Sequence, residues 1–258
     1  MVLDFGFYNM DCMDGMKEFP DKYFDLAIVD PPYGDAGGGS QTVNDSENDL
    51  TGIGMIPRGG VAWEKQVPPR HYTFGVRKKN SSYERRKRMG EEIRKKIIAW
   101  DVAPGQEYFD ELFRVSRNQI IWGGNYFNLP PTRCFIIWRK LSISENFSMA
   151  MAEYAWTSFK TNAKVFECAP QGKKGDRFHP TQKPIELYEW LIEKYSQPGD
   201  IILDTHVGSA SSLIACHRKN HKYVGFEIDE EYYRMAKERL EAEEAQRTIW
   251  QVMEEVQG

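Results

Sequence analysis

Cysteine is scarce and scattered in this chain. Its four cysteines, Cys12, Cys134, Cys168 and Cys216, form no C-x-x-C pair, which argues against a zinc ribbon or a disulfide scaffold. They read as reduced, packed thiols. Histidine is nearly as rare, with five residues, and although His206, His217 and His221 stand near Cys216 they show no ligand spacing. No metal is expected. Long apolar runs are missing too: none approaches the roughly 18–20 residues that a bilayer span needs. The opening MVLDFGFYNMD lacks the basic stretch and apolar core of a secretory leader. A cytoplasmic protein away from membranes is the expectation.

The chain also lacks an overall positive charge, since 34 Lys/Arg face 38 Asp/Glu, a net of -4. The distribution is uneven. Residues 76–96 hold ten Lys/Arg against three Glu, a net of +7, which leaves -11 for the remainder. Such a segment on an otherwise acidic chain marks a nucleic-acid contact or a solvated charged helix, and charge alone does not choose between them.

What is present fits a packed globular protein: 41% of the residues are hydrophobic and 13% aromatic, far above a disordered chain. A length of 258 residues suits one domain with an insertion. Residues 5–11 and 23–29 read as strands, and the second ends abruptly at Asp30-Pro31-Pro32-Tyr33, where two prolines force the chain out of the sheet. Residues 35–75 form a Gly/Asn/Ser-rich loop and 83–98 a basic helix; together 35–100 read as an insertion. Periodicity predicts a helix over 105–116 and strands over 118–122 and 134–138. Residues 142–178 read as a small lobe. A helix over 184–196 opens at Pro184, a favoured first-turn position. The rest reads as strand 201–204, turn 205–209, helix 210–218, strand 223–228, and a helix over 230–246 capped by Asp229. That alternation predicts an α/β fold with a doubly wound, mostly parallel sheet, and the unbroken apolar runs LAIV and IIL suit strands covered on both faces.

Two constellations carry chemistry. In the second half, a strand ends at Asp204, a turn contains Gly208, and the next strand ends at Glu227, 23 residues after Asp204. Glycine lets the backbone approach a ligand closely, and Glu227 offers acceptors for ribose hydroxyls. A dinucleotide site would show G-x-G-x-x-G. This turn has one glycine, which disfavours a nucleotide-dependent oxidoreductase and fits a nucleoside without pyrophosphate, such as S-adenosylmethionine. In the first half, Asp30, the Pro31 carbonyl and the Tyr33 ring would stand at the carboxyl edge of the sheet, where ligands bind. An exocyclic adenine amine is a poor nucleophile, because its lone pair is delocalised into the ring. Two acceptors on its hydrogens would stabilise the cation forming there. Tyr33 would stack on a base drawn out of the duplex. Taken alone, each constellation also fits an ordinary strand-ending turn.

In combination, DPPYG (30–34), NQIIWGGNYF, CFIIWRK, FHPTQKP (178–184), DTHVGSAS (204–211) and GFEIDEEYY (225–233) resemble the DNA amino-methyltransferases of the beta arrangement, the DNA methylase N-4/N-6 family. In that group the catalytic segment precedes the cofactor segment. The resemblance implies a Rossmann-like methyltransferase fold, with Asp30, Pro31, Pro32 and Tyr33 catalytic. It implies that Asp204, Gly208, Ser209 and Glu227 hold S-adenosylmethionine, with Asp30 and His206 at the same site. His179, Thr181 and Lys183 would border the methionine part, and Asp11 would contact the adenine. Asp at position 30 implies N6 of adenine, since N4-cytosine members usually carry Ser there. An N4-cytosine enzyme, an RNA methyltransferase and a non-catalytic nucleic-acid-binding protein of the same fold are the alternatives. Arg77, Lys78, Lys79, Arg85, Arg86, Lys87 and Arg88 are the expected DNA contacts, 142–178 the target-recognition lobe, and a homodimer and a separately encoded restriction nuclease the further expected partners. Two departures from the family pattern stand in the glycine turn: His206 stands near the aromatic position, and Ala210 replaces the second glycine.

Overall fold

The computed structural model describes residues 3–34, 101–144, 150–170, 178–179 and 181–257, with side chains to 246. The chain divides into residues 1–33 with 103–258, and residues 34–102. The first unit is described below. The expected basic helix at 83–98 and the proposed DNA contacts from Arg77 to Arg88 lie outside the described residues.

Among the described residues, eight strands form one sheet: β1 (Gly6–Asn9), β2 (Phe24–Val29), β3 (Ser116–Trp122), β4 (Phe135–Lys140), β5 (Ala152–Thr157), β6 (Lys164–Cys168), β7 (Ile201–Asp204) and β8 (Lys222–Glu227). Their spatial order is β1-β8-β7-β2-β3-β5-β4-β6. All neighbours pair parallel except at β5, which runs antiparallel to β3 and to β4. The segment 142–178, expected as a small lobe, supplies β5 and β6. The apolar face of AEYAWT pairs with FIIWRK and finds its burial in the main sheet.

The α-helices among the described residues are α1 (Cys12–Lys17), α2 (Gln106–Val115), α3 (Ile185–Tyr195), α4 (Ser211–Arg218) and α5 (Glu230–Gln257). Alternate residues of each central strand point to opposite faces. Ala27, Val29, Ile121, Leu203 and Phe226 pack with Phe109 and Leu112 of α2 on one side. Leu26, Ile28, Ile120 and Ile202 pack with Leu187 and Leu191 of α3 and Ala215 of α4 on the other. Such continuously buried strands are what a doubly covered parallel sheet requires. Leu112 is fully buried, so truncating it to Ala would cost about 2–5 kcal/mol.

Caps follow local rules with two exceptions. Asp229 accepts from the backbone N–H groups of Glu231 and Tyr232 at 3.0 and 2.9 Å, opening α5 as expected. Pro184 has extended backbone (φ -63°, ψ 145°) and stands just before α3 instead of in its first turn. Ala210 was expected inside a helix, where Ala is favoured. It stands instead just before α4 in the left-handed region (φ 61°), where glycine is favoured.

From β7 the chain proceeds to β8 on one side, and from β2 to β3 on the other. The reversal falls between the carboxyl ends of β2 and β7, which is where doubly wound sheets bind ligands. No helix among the described residues is long and apolar enough to cross a membrane.

Candidate active site

Asp30 leaves the sheet at the end of β2, and its two oxygens are engaged by different partners. Tyr33 donates its hydroxyl to Oδ1 at 2.6 Å. The Lys183 ammonium, 153 residues further on, bonds Oδ2. Lys183 is only 5% exposed. Its Nζ also lies 3.2 Å from Oε2 of Glu153 and 5.2 Å from the centre of the buried Trp122 ring. The other oxygen of Glu153 meets Lys140 Nζ at 2.6 Å. Burial by itself would lower the pKa of Lys183, but the charges of Asp30 and Glu153 outweigh it and hold the pKa above its ordinary value. Burial would raise Glu153, but Lys183 and Lys140 keep it below the usual carboxylate range.

The Tyr33 ring rests on Gly123, which has a left-handed φ of 66°. Gly123 is followed by a short 3-10 turn (Gly124–Tyr126). There Tyr126, 40% exposed, stacks on Tyr33 with ring centres 5.0 Å apart and planes 24° from parallel. A base between two rings needs them roughly 7 Å apart, twice a van der Waals contact. Base entry between this pair therefore requires one ring to move. Burial, then the charges of Asp30 and Glu153, raise the Tyr33 pKa well above its ordinary value, so the hydroxyl stays protonated and donates.

The second half of the site follows β7. Asp204 Oδ1 accepts from the His206 N–H at 3.0 Å, and Oδ2 from the Ser212 hydroxyl. Burial pushes the Asp204 pKa up to about 7, against these bonds, with smaller contributions from the charges of Asp30 and Glu227. His206 is driven down to about 4 by burial. Its Nδ1 lies 2.9 Å from the Thr205 hydroxyl, which lies 2.6 Å from the Tyr108 hydroxyl. Gly208 turns left-handed (φ 55°) and donates its N–H to Glu227 Oε2 at 2.8 Å. Asp229 N–H donates to Oε1 at 2.9 Å. Burial raises the Glu227 pKa. Arg239 of α5 pins this turn, donating to the Ser209 carbonyl at 2.7 Å and the Ser211 hydroxyl at 3.0 Å.

The remaining predicted site residues fall in different places. The His179 ring borders Gly208, where a Cβ would stand 3.2 Å from it, and Thr181 Oγ1 lies 3.2 Å from His179 Nδ1. Lys183 belongs to the Asp30 group. Pro31 is buried and Pro32 partly buried. Ser209 is buried, with its hydroxyl 3.1 Å from that of Ser211, inside the turn. Asp11 is exposed and caps α1 through the Met13 N–H at 2.8 Å, at the end of the strand paired with β8. Sequence reasoning missed Glu153, Lys140, Tyr126 and Tyr108. The visible signal was one carboxylate in AEYAWT and two cations ending FIIWRK, strands otherwise mostly apolar. Their pairing needs the β4/β5 register.

The carboxyl ends of β2 and β7 thus carry a lysine-bound carboxylate, a stacked pair of tyrosines and a Gly–Glu turn. The DNA methylase family profile matches residues 63–238, so the chain belongs to that family. The chain is similar to type II methyltransferase M2.MboI of Moraxella bovis, 24% identical over 260 residues covering 92% of this chain and 87% of the relative. It is 47% identical to type II methyltransferase M.HpaI of Haemophilus parainfluenzae over 70 residues, 27% of this chain and 22% of that protein's length. The PvuII DNA methyltransferase (cytosine-N4-specific) shares the fold, with a TM-score of 0.53 and 13% identity over 90% of this chain and 84% of that one.

Proposed function

We propose that this protein transfers a methyl group from S-adenosylmethionine to the N6 amine of adenine in DNA. The observation that carries the reading is the Asp30 carboxylate, held by Lys183 and Tyr33 at the crevice that also contains the Gly208–Glu227 turn. Membership of the DNA methylase family supports the class of reaction. M2.MboI and M.HpaI are named type II methyltransferases, which supports DNA as the substrate.

The residues fit the cofactor. The charges of Asp30 and Glu227 both add to the raised pKa of Asp204. One buried and two partly buried carboxylates suit a ligand that brings positive charge and hydroxyl donors. S-adenosylmethionine supplies an electrophilic methyl on a sulfonium, together with ribose hydroxyls. Glu227 would accept from the ribose, and Gly208 would let the backbone approach it. Asp30 Oδ1 keeps a second lone pair for an amine hydrogen. The Pro31 carbonyl, on a rigid backbone, would take the other, and Tyr33 would stack on the base. On transfer the amine nitrogen would gain the methyl group and a positive charge, which would persist until one of its protons passes to solvent. Asp30 stabilises that charge.

The 76–96 segment is proposed to contact DNA phosphates. A homodimer and a separately encoded nuclease stay as proposals from the resemblance. The test is sequencing for modified bases in DNA from cells expressing the chain, beside the Asp30→Ala variant. N6-methyladenine that depends on Asp30 is expected. N4-methylcytosine would establish the alternative reading, and no modification would remove both. In vitro, Asp30→Ala should lose about 10²–10³ in rate with cofactor binding nearly intact.

A further inference from the structure

Four charged side chains from four separate parts of the chain form one row at Asp30, its two lysines buried and its two carboxylates partly buried. Lys140 ends β4, Glu153 lies in β5, Lys183 precedes α3, and Asp30 follows β2. The links are 2.6 Å from Lys140 to Glu153, 3.2 Å from Glu153 to Lys183, and a direct bond from Lys183 to Asp30. Lys140 is 8% exposed and Lys183 5%. The row contains two cations and two anions and is neutral as a whole.

Stability does not account for such a row. Buried ion pairs roughly balance their desolvation cost, and apolar replacements of the same size are often neutral or stabilising. The placement at one end of the reacting carboxylate does account for it. On the proposed methyl transfer, positive charge arrives at the amine nitrogen beside Asp30. Lys183 alone would put a cation next to that position, and Glu153 cancels it. Glu153 also holds the ammonium where it fixes the orientation of Asp30.

We propose, building on the reading of the site as a methyl-transfer centre, that Glu153 is a positioning residue for the reaction. Through Lys183 it fixes and charge-balances Asp30, and Lys140 anchors its far oxygen. Glu153 itself touches neither base nor cofactor. The titratable groups around Lys183 are Asp30, Glu153 and, through Glu153, Lys140. Tyr33 and Tyr188 respond to the same two carboxylates and are both raised far above the ordinary range, first by burial.

The deciding variant is Glu153→Gln, which keeps size and removes charge. Turnover should fall about tenfold or more, by analogy with loss of one preorganised electrostatic contact. The Kd for S-adenosylmethionine should change by less than about threefold, since the loss lies in the transition state. The alkaline limb of the kcat–pH profile should move to lower pH, because a buried ammonium with one anion fewer loses its proton sooner. Restoring the carboxylate as Glu153→Asp should recover part of both. Lysine-selective carbon-13 NMR titration of the free protein reads the same coupling without turnover: the Lys183 resonance should titrate lower in Glu153→Gln. Unchanged kcat, an unmoved limb, an unmoved Lys183 titration, or a kcat loss matched by loss of cofactor binding would each overturn the proposal. If Glu153→Gln fails to fold, Lys183→Arg decides. Its guanidinium does not titrate in this range, so the alkaline limb should vanish from the residual activity, and a persisting limb would overturn the proposal. A wild type that modifies no adenine would refute the functional reading alone, because the NMR titration still tests the coupling.

Discussion

A Cβ placed on Gly123 would stand 2.1 Å from Cε1 of the Tyr33 ring, so the aromatic platform beside Asp30 occupies the space that a side chain at 123 would need. Gly123 also has a left-handed φ of 66°, which disfavours any other residue independently.

Gly123→Ala should therefore act twice. The backbone strain should cost roughly 1–2 kcal/mol, and the displaced Tyr33 should lower kcat by about tenfold or more. In a Tyr33→Ala background only the backbone part of the stability cost should remain. Urea unfolding of the four proteins of this cycle measures the difference. Equal costs in both backgrounds would show that the ring and the glycine are not coupled.

Glu227→Ala should weaken S-adenosylmethionine binding by about 1.5–3 kcal/mol, the range for hydrogen bonds to a charged group. The same carboxylate accepts from Gly208 and Asp229 in the free protein, so the melting temperature without cofactor should drop as well. Calorimetric titration and thermal melting test the two effects separately.

Asp204 and His206 should oppose each other in the pH dependence of stability. Burial lifts Asp204 from 3.8 to about 7, so the fold keeps a proton there that the unfolded chain has released, and stability falls as pH rises through that window. Burial lowers His206 from 6.5 to about 4, so the unfolded chain binds a proton that the fold refuses, and stability rises with pH up to 6.5. Each slope reaches about 1.4 kcal/mol per pH unit at most. His206→Phe should expose the falling slope and Asp204→Asn the rising one in melting curves from pH 4.5 to 6.5. Identical profiles for both variants would refute the assignment.

Ala210→Gly should leave stability within about 1 kcal/mol of the wild type, because relief of the left-handed strain offsets the lost methyl burial and the gain in unfolded-chain entropy. Ala210→Val should cost about 2–3 kcal/mol, since a β-branched side chain is a poor fit to positive φ. Chemical denaturation resolves a difference of that size.

Neutralising Arg85, Arg86, Lys87 and Arg88 together should weaken DNA binding about equally for all sequences, because phosphate contacts carry no base information. If about five side chains meet phosphates, the wild-type slope of log K against log salt should be about -4 to -5. An unchanged slope in the quadruple variant would identify the segment as a solvated charged helix.

Much of this protein was legible locally. A buried apolar run stopped by Asp30-Pro31-Pro32, the cap at Asp229, the glycine turn and the acid ending the next strand are each set by neighbouring residues, and the structure has them where the pattern put them. The α/β class followed from the order of those elements. Tertiary structure alone decided three things. Residues 152–157 and 164–168 joined the main sheet, because their apolar faces find burial there and local pattern cannot say against what a strand packs. Ala210 took left-handed backbone, a demand made by the turn between β7 and α4 and not by alanine's own preference. Lys183 reached Asp30 across 153 residues and brought Glu153 and Lys140 with it. Charges buried in a low-dielectric interior must find partners. Which partners they find depends on strand order in space, and the order in sequence does not reveal it.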